Sequence, residues 1–448
     1  MDRYADLLAK YDHEVIGMKI LFFTPIKVAS AIGRVSKLIV EQLLLLGHEV
    51  VVIRSEDSAE FGGATHPFSC EIVNWNERKR VERLAAQSEL VIYQIGNHYP
   101  YHRGCLEWLP VAPGVISLHD NFLGHLFWSW SERMGRDKAN AVLSGIYGEK
   151  TAQSFFNHSS AEAFLEFASQ FAPMTEWIAA MGTAVIVHSS WAMERIARSC
   201  RGPSEVVALP YDAPYLERTE PKALIEESDR LIVLTIGHVN PNKRYSSIIK
   251  AIGESALLRD RVSFRIVGPA ESHTIQELTA LAGQLGVQLT MTGPVGDEEL
   301  ATEIQNADIM CCLRWPALEA ASASTIEAML YGKAVIVTDT GFYRDLPSDS
   351  VMKVIPEREI PDLRTCLEGL VEGREIRVAL GEVARNYAAK TFRADTYAAA
   401  IVQMNHRILQ SHVVAGAARQ VVSTLVRWGS RGDVAVGKAI TGPLALIR

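Results

Sequence analysis

The feature that most constrains this chain is a rhythm: short apolar runs rich in β formers alternate with amphipathic stretches, in two successive series. The first opens with MKILFFT (18–24). In GRVSKLIVEQLLLLG (33–47), Val35, Leu38, Ile39 and Leu46 then recur at helical spacing, and Gly47 is a natural helix stop. HEVVVI (48–53) returns as a strand. Strand, helix and strand joined by short turns make a βαβ unit, which implies a parallel sheet with right-handed crossovers. ELVIYQI (89–95), GVISLHD (114–120) and TAVIVHSS (183–190) continue the sheet. The second series begins near 231 with LIVLTIG, VSFRIVG, VQLTMTG, DIMCCLR and AVIVTDT, separated by predicted helices near 244–258, 272–285, 297–306 and 323–331. The pattern predicts an α/β chain of two Rossmann-like domains facing across a cleft. Ligands of such sheets bind at the strands' carboxyl ends.

Composition divides the chain further. Residues 1–17 form a charged N-terminal leader, and 18–205 the first domain. Near 121–182 that domain changes to aromatic-rich helical text (FLGHLFWSW, AFLEFASQFA, TEWIAAM), a helical insertion whose rings are expected to pack on the sheet. A proline- and charge-rich linker, 206–230, leads to the second domain, 231–395. A helix over 396–415 and a tail over 416–448 follow. The tail carries a formal charge of +4 with apolar residues between the basic ones. Two readings of it stand: a frayed extension, or an interfacial helix making peripheral contact with anionic lipid.

At 448 residues the chain is too long for one core. Its net charge of -7 argues against a nucleic-acid partner, which usually requires a broad basic face. None of the six cysteines forms a C-x-x-C pair, and Cys311–Cys312 fall in a strand where they point to opposite faces. Free thiols in a reducing compartment, with no metal, are the expectation. No run approaches the ~18 apolar residues that span a bilayer, and the leader lacks an apolar core. A cytoplasmic protein, peripheral to the inner membrane face at most, is expected.

Two segments carry the chemistry. In LEAASASTIEAMLYGKAVIVTDTG (318–341), Glu319 follows a strand and Glu327 lies within the next helix. That helix starts near Ser322, Ala323 and Ser324, whose small side chains let a phosphate approach the free backbone N–H groups. The flanking carboxylates suit the vicinal hydroxyls of a sugar or ribose, since they only accept. In TIGHVNPNKRYSSIIKAI (235–252), Lys243 and Arg244 sit at a helix start, where cations oppose the macrodipole. A bound polyanion explains them there. His98, His102 and His125 read as ordinary core or surface groups.

Glu319-x7-Glu327 followed by AMLYGKAVIVTDTGFYRDLP resembles the signature of retaining glycosyltransferases of family four, which have the GT-B fold. TIGHVNPNKR is similar to their loop ending in a diphosphate-binding lysine, and the opening βαβ unit and AVIVHSSWAMERI resemble parts of their first domain. The resemblance implies a nucleotide-sugar donor, a saccharide or lipid-linked saccharide acceptor in surface-polysaccharide or glycoconjugate synthesis, and no metal or other cofactor. It implies that Lys243 binds the pyrophosphate, Glu327 the ribose, Glu319 and His119 the transferred sugar, and the N–H groups of Ser322, Ala323 and Ser324 the distal phosphate. Val295 would face the nucleobase and Gly33 the phosphates. His238 stands where the family usually has arginine, which leaves the second diphosphate cation to Arg244 or another residue. A nucleotide-sugar 2-epimerase, or a non-catalytic scaffold derived from a transferase, shares the same fold. A dinucleotide oxidoreductase would need a G-x-G-x-x-G turn that TPIKVASAIG lacks.

Overall fold

The computed structural model describes residues 17–216 and 230–427, with side chains up to 410. The tail beyond Arg427, the leader through residue 16 and linker residues 217–229 lie outside the described residues. Two fully parallel sheets form the frame. The first runs β3-β2-β1-β4-β5-β6-β7, from β1 (Lys19–Thr24), β2 (Glu49–Arg54), β3 (Glu71–Asn74), β4 (Leu90–Ile95), β5 (Val115–Leu118), β6 (Ala184–Val187) and β7 (Ser204–Val206). The second runs β10-β9-β8-β11-β12-β13, from β8 (Leu231–Ile236), β9 (Val262–Val267), β10 (Leu289–Gly293), β11 (Ile309–Cys312), β12 (Ala334–Thr338) and β13 (Met352–Val354). In both, the strand order reverses beside the first strand, between β1 and β4 and between β8 and β11. A doubly wound sheet opens a crevice there, at the carboxyl ends.

The central strands are buried on both faces, which is why they read as unbroken apolar runs. Phe22 and Ile20 face one side of the first sheet, Leu21 and Phe23 the other, and all four are inaccessible to solvent or nearly so. The aromatic segment forms five helices between Gly124 and Ala179. Phe127, Leu143, Phe155 and Phe164 bury into the same cluster as Phe23 and Trp108. Packing on the sheet accounts for these buried rings, while Phe171 stays exposed.

Three local boundaries differ from the sequence reading. The helix expected over 244–258 is two helices, Tyr245–Gly253 and Ala256–Arg261, because Ser255 caps the second through Leu258 N–H. The first half of the linker packs down: Leu209 is buried, and Tyr211 N–H donates to the Phe392 carbonyl. The last helix, Ala394–Arg427, has no break at 415. It returns from the second domain to the first, packing beside the helix Ala31–Leu45. Tyr397 Oη lies 2.8 Å from Ser117 Oγ on β5, and Arg407 pairs with Glu205.

Candidate active site

Lys243 lies in a turn after β8, in a one-turn 3-10 helix, Pro241–Lys243. Its ammonium donates 3.0 Å back to the Ile236 carbonyl, passing over Gly237. A Cβ at Gly237 would stand 2.6 Å from Lys243 Nζ, and the backbone there has φ +93°, so this position requires glycine. Burial, together with the Arg314 charge, pushes the Lys243 ammonium down to about 7. A buried lysine of that kind gains strongly from a bound anion.

The second cation beside Lys243 is Arg314, not Arg244. Arg244 takes a left-handed conformation (φ 59°) between the 3-10 turn and the helix Tyr245–Gly253, and its Nε donates to both carboxylate oxygens of Glu359. Its charge is committed to Glu359, the first residue of the helix Glu359–Glu372. Arg314 follows β11, almost wholly buried, with Nε donating 2.9 Å to Glu319 Oε1 and Nη1 donating to the Leu313 carbonyl. Burial works against its charge, but Tyr343 and Glu319 hold the guanidinium protonated. Trp315 N–H donates to the Asn242 carbonyl, which ties the Arg314 loop to the Lys243 turn. His238, expected near the donor, is exposed.

The helix Ala323–Leu330 begins where the reading of small residues places it. Ser322 is its N-cap, accepting from Thr325 N–H and Thr325 Oγ1. The first-turn N–H groups of Ala323 and Ser324 have no helical acceptor and point out of the helix start. Glu327, one turn in, is buried, and burial pushes its carboxyl up to about 7 against the pull of Arg34. Arg34 reaches across from the first domain, 3.8 Å from Glu327 Oε1, and is itself held by Asp212 and Tyr211. Val295 is half-buried after β10.

Gly33 does not lie in an open loop. It occupies the first turn of the helix Ala31–Leu45, where Ser30 caps its N–H and a Cβ would meet the Pro25 carbonyl at 2.8 Å. Its smallness lets the β1 loop close onto the helix.

His119, just past β5, is buried, with Nε2 2.6 Å from Gln94 Oε1 and its ring 4.9 Å from that of His188. Burial, then the neighbouring His188 and His102, hold it well below the ordinary histidine range, so it is neutral. With Nε2–H donating to Gln94, Nδ1 is an acceptor with no partner among the described residues. The two domains touch here. His119 O accepts from Ala320 N–H and Leu318 O from Asn121 N–H, an antiparallel bridge that sets Asp120 opposite Glu319. Among the described residues no group of three or more His, Cys, Asp or Glu side chains could hold a metal ion, all six cysteines are free, and no helix is long and apolar enough to cross a membrane.

Two parallel Rossmann-like domains whose switch points face each other make up the GT-B fold. Residues 217–387 match the family Glycosyl transferases group 1. The chain carries a group 1 domain and is a glycosyltransferase. No curated protein matches it in sequence. Solved structures share the fold. Sucrose-phosphate synthase from Thermosynechococcus elongatus has a TM-score of 0.58 at 14% identity, covering 87% of this chain and 98% of its own. WaaG, a glycosyltransferase involved in lipopolysaccharide biosynthesis, has 0.56 at 15%, covering 85% and 99%. Anabaena HepE, solved in complex with UDP and glucose, has 0.54 at 16%, covering 88% and 99%.

Proposed function

We propose that the cleft binds a nucleotide-diphosphate-sugar and transfers the sugar, with its anomeric configuration kept, to a hydroxyl of a saccharide or lipid-linked saccharide in surface-polysaccharide or glycoconjugate synthesis. The observation that carries this is the convergence of Lys243, Arg314 and the Ala323–Leu330 helix start at one switch point. Two buried cations and unpaired N–H groups are a diphosphate's complement. Glu327 accepts from the ribose hydroxyls, exchanging its contact with Arg34 for the ligand. Val295 lies against the base. Glu319, oriented by Arg314, and His119 Nδ1 accept from hydroxyls of the transferred sugar.

Same-face transfer needs no enzyme nucleophile. The bond from the anomeric carbon to the diphosphate oxygen breaks as the bond to the acceptor oxygen forms, and the acceptor's proton passes to the departing diphosphate. Lys243, Arg314 and the helix start stabilise the charge growing on that leaving group. HepE crystals that hold UDP and glucose make uridine nucleotides the first donors to try.

A thermal-shift screen of nucleoside diphosphates and nucleotide sugars tests the reading, because a ligand bound to the folded state alone stabilises it by about 2.7 kcal/mol at a hundred times its Kd. At least one uridine, guanosine, adenosine or thymidine nucleotide is expected to raise Tm. A flat response to all of them contradicts the reading.

A further inference from the structure

His119 is wired into a buried polar cluster built by the first domain and the last helix. Gln94 on β4, Ser117 on β5, His188 just past β6 and Tyr397 on the helix Ala394–Arg427 surround it, and all four side chains are buried. The protons of this cluster can be placed from one end. The Val207 carbonyl, 3.0 Å from His188 Nδ1, only accepts, so Nδ1 carries the hydrogen. Burial pushes the His188 imidazole down to about 4, so the ring is neutral and its Nε2 is an acceptor. The Ser117 hydroxyl, 3.4 Å away, gives that nitrogen its one proton, and Tyr397 Oη donates 2.8 Å to Ser117 Oγ.

Ser117 Oγ is left with a lone pair toward His119 Nε2, also 3.4 Å away, and Gln94 Oε1 faces the same nitrogen at 2.6 Å. A bare Nε2 would set its own lone pair against that of Ser117, whereas Nε2–H has two acceptors before it. Were the Gln94 amide turned round, its NH2 group would oppose that hydrogen. The hydrogen of neutral His119 therefore sits on Nε2 and Nδ1 is bare. Gln94 Nε2 is buried with no hydrogen-bond partner among the described residues, so the amide is held there for its oxygen alone.

The consequence is selectivity. A sugar hydroxyl can donate to a bare Nδ1. A carboxylate only accepts, so it would meet the ring lone pair to lone pair, with the like charge of Glu319 on the same sugar. In the opposite tautomer, Nδ1–H would donate to a carboxylate as readily as to a hydroxyl. We infer that Gln94 is a specificity-determining positioning residue: by holding the hydrogen of His119 on Nε2, it makes the cleft take a nucleotide sugar with a hydroxyl at that point and reject the corresponding uronic acid. The inference rests on the place of His119 beside the transferred sugar in the proposed function.

Long-range proton–nitrogen NMR of the full chain with isotope-labelled histidine reads the tautomer without any ligand, the His119 signals being assigned by their loss in His119→Asn. The wild type should show a protonated Nε2 and a bare Nδ1. Gln94→Met keeps the bulk and removes the acceptor, so it should populate Nδ1–H, with an unchanged circular dichroism spectrum to report the fold. Calorimetry then compares UDP-glucose with UDP-glucuronate and GDP-mannose with GDP-mannuronate. In the wild type the neutral member of a bound pair should be tighter by about tenfold or more, and Gln94→Met should narrow that ratio at least about threefold, the scale of one hydrogen bond. Affinity for UDP or GDP itself should not change, so the shift in preference is one that a merely structural role would not produce. An Nδ1–H tautomer in the wild type, a tautomer unmoved in Gln94→Met, or a uronate bound as tightly as its neutral partner overturns the inference. Failure of every nucleoside diphosphate to bind sinks the donor reading instead, whatever the tautomer.

Discussion

The two walls of the cleft solve the same topological problem with opposite chemistry. On the second domain, the carboxyl ends of β8 and β11 carry Lys243 and Arg314, both buried, and open onto a helix start. On the first, the ends of β4 and β5 carry Asn97, neutral His119 and Asp120. In the proposed function the second domain's wall takes the polyanion and the other meets hydroxyl groups. The net charge of -7 hides this division: the residues before the tail carry -11, and the buried cations Lys243 and Arg314 stand out against them. Global charge speaks against nucleic acid and says nothing of a site this local.

The contrast can be broken most forcefully at Lys243. Lys243→Ala should lower kcat/KM by about 10³-fold, the scale of losing a transition-state charge partner, with an unchanged circular dichroism spectrum. Turnover near wild type in a folded variant would strip the second wall of its role. Arg314 and Arg244 then separate a working cation from a structural one. Arg314→Ala should cost about 10²-fold in kcat/KM. Arg244→Ala should cost less than about threefold in kcat/KM but lower Tm by several degrees, because it leaves buried Glu359 unpaired. The reverse order would restore Arg244 to the diphosphate.

The smallest effect is on pH. Lys243 must be protonated to hold a diphosphate, so with its ammonium near 7 in the free protein, nucleotide affinity falls as pH rises above that point. Glu327 must be ionised to accept fully from ribose hydroxyls, so affinity also falls as pH drops below about 7. Calorimetry from pH 5.5 to 9 should give a maximum near neutrality, with Glu327→Gln flattening the acid limb only. A flat profile would mean that neither group meets the ligand.

Much of this was readable in the sequence, for physical reasons. Strands buried on both faces, such as LIVLTI and AVIVT, show as apolar runs, and the parallel sheets followed from them. The strands EIVN, SEV and MKV are short and partly exposed, too polar to stand out in the sequence. Lys243 and the Ser322–Ser324 helix start were legible because loop and helix are local in sequence. Arg314 was not: in DIMCCLRWP it reads as the solvated charge that ends a strand. Its signal is its position, two residues past the carboxyl end of a fully buried strand and five residues before Glu319. Arg244 misled for the complementary reason, since its partner Glu359 lies more than a hundred residues away. Asp120 adjoins His119 in sequence, yet only the contact with Glu319 across the cleft gives it meaning.

In the proposed function the second wall recognises the diphosphate rather than the nucleoside alone. Isothermal titration of the wild type, at pH 7 and fixed salt, compares the nucleoside diphosphate that gives the largest thermal shift with its parent nucleoside. The diphosphate should bind at least about a hundredfold more tightly, because two charge-assisted contacts of about 1.5–3 kcal/mol each are lost with the phosphates. Equal affinities for that diphosphate and its nucleoside would remove the diphosphate contact from the second wall.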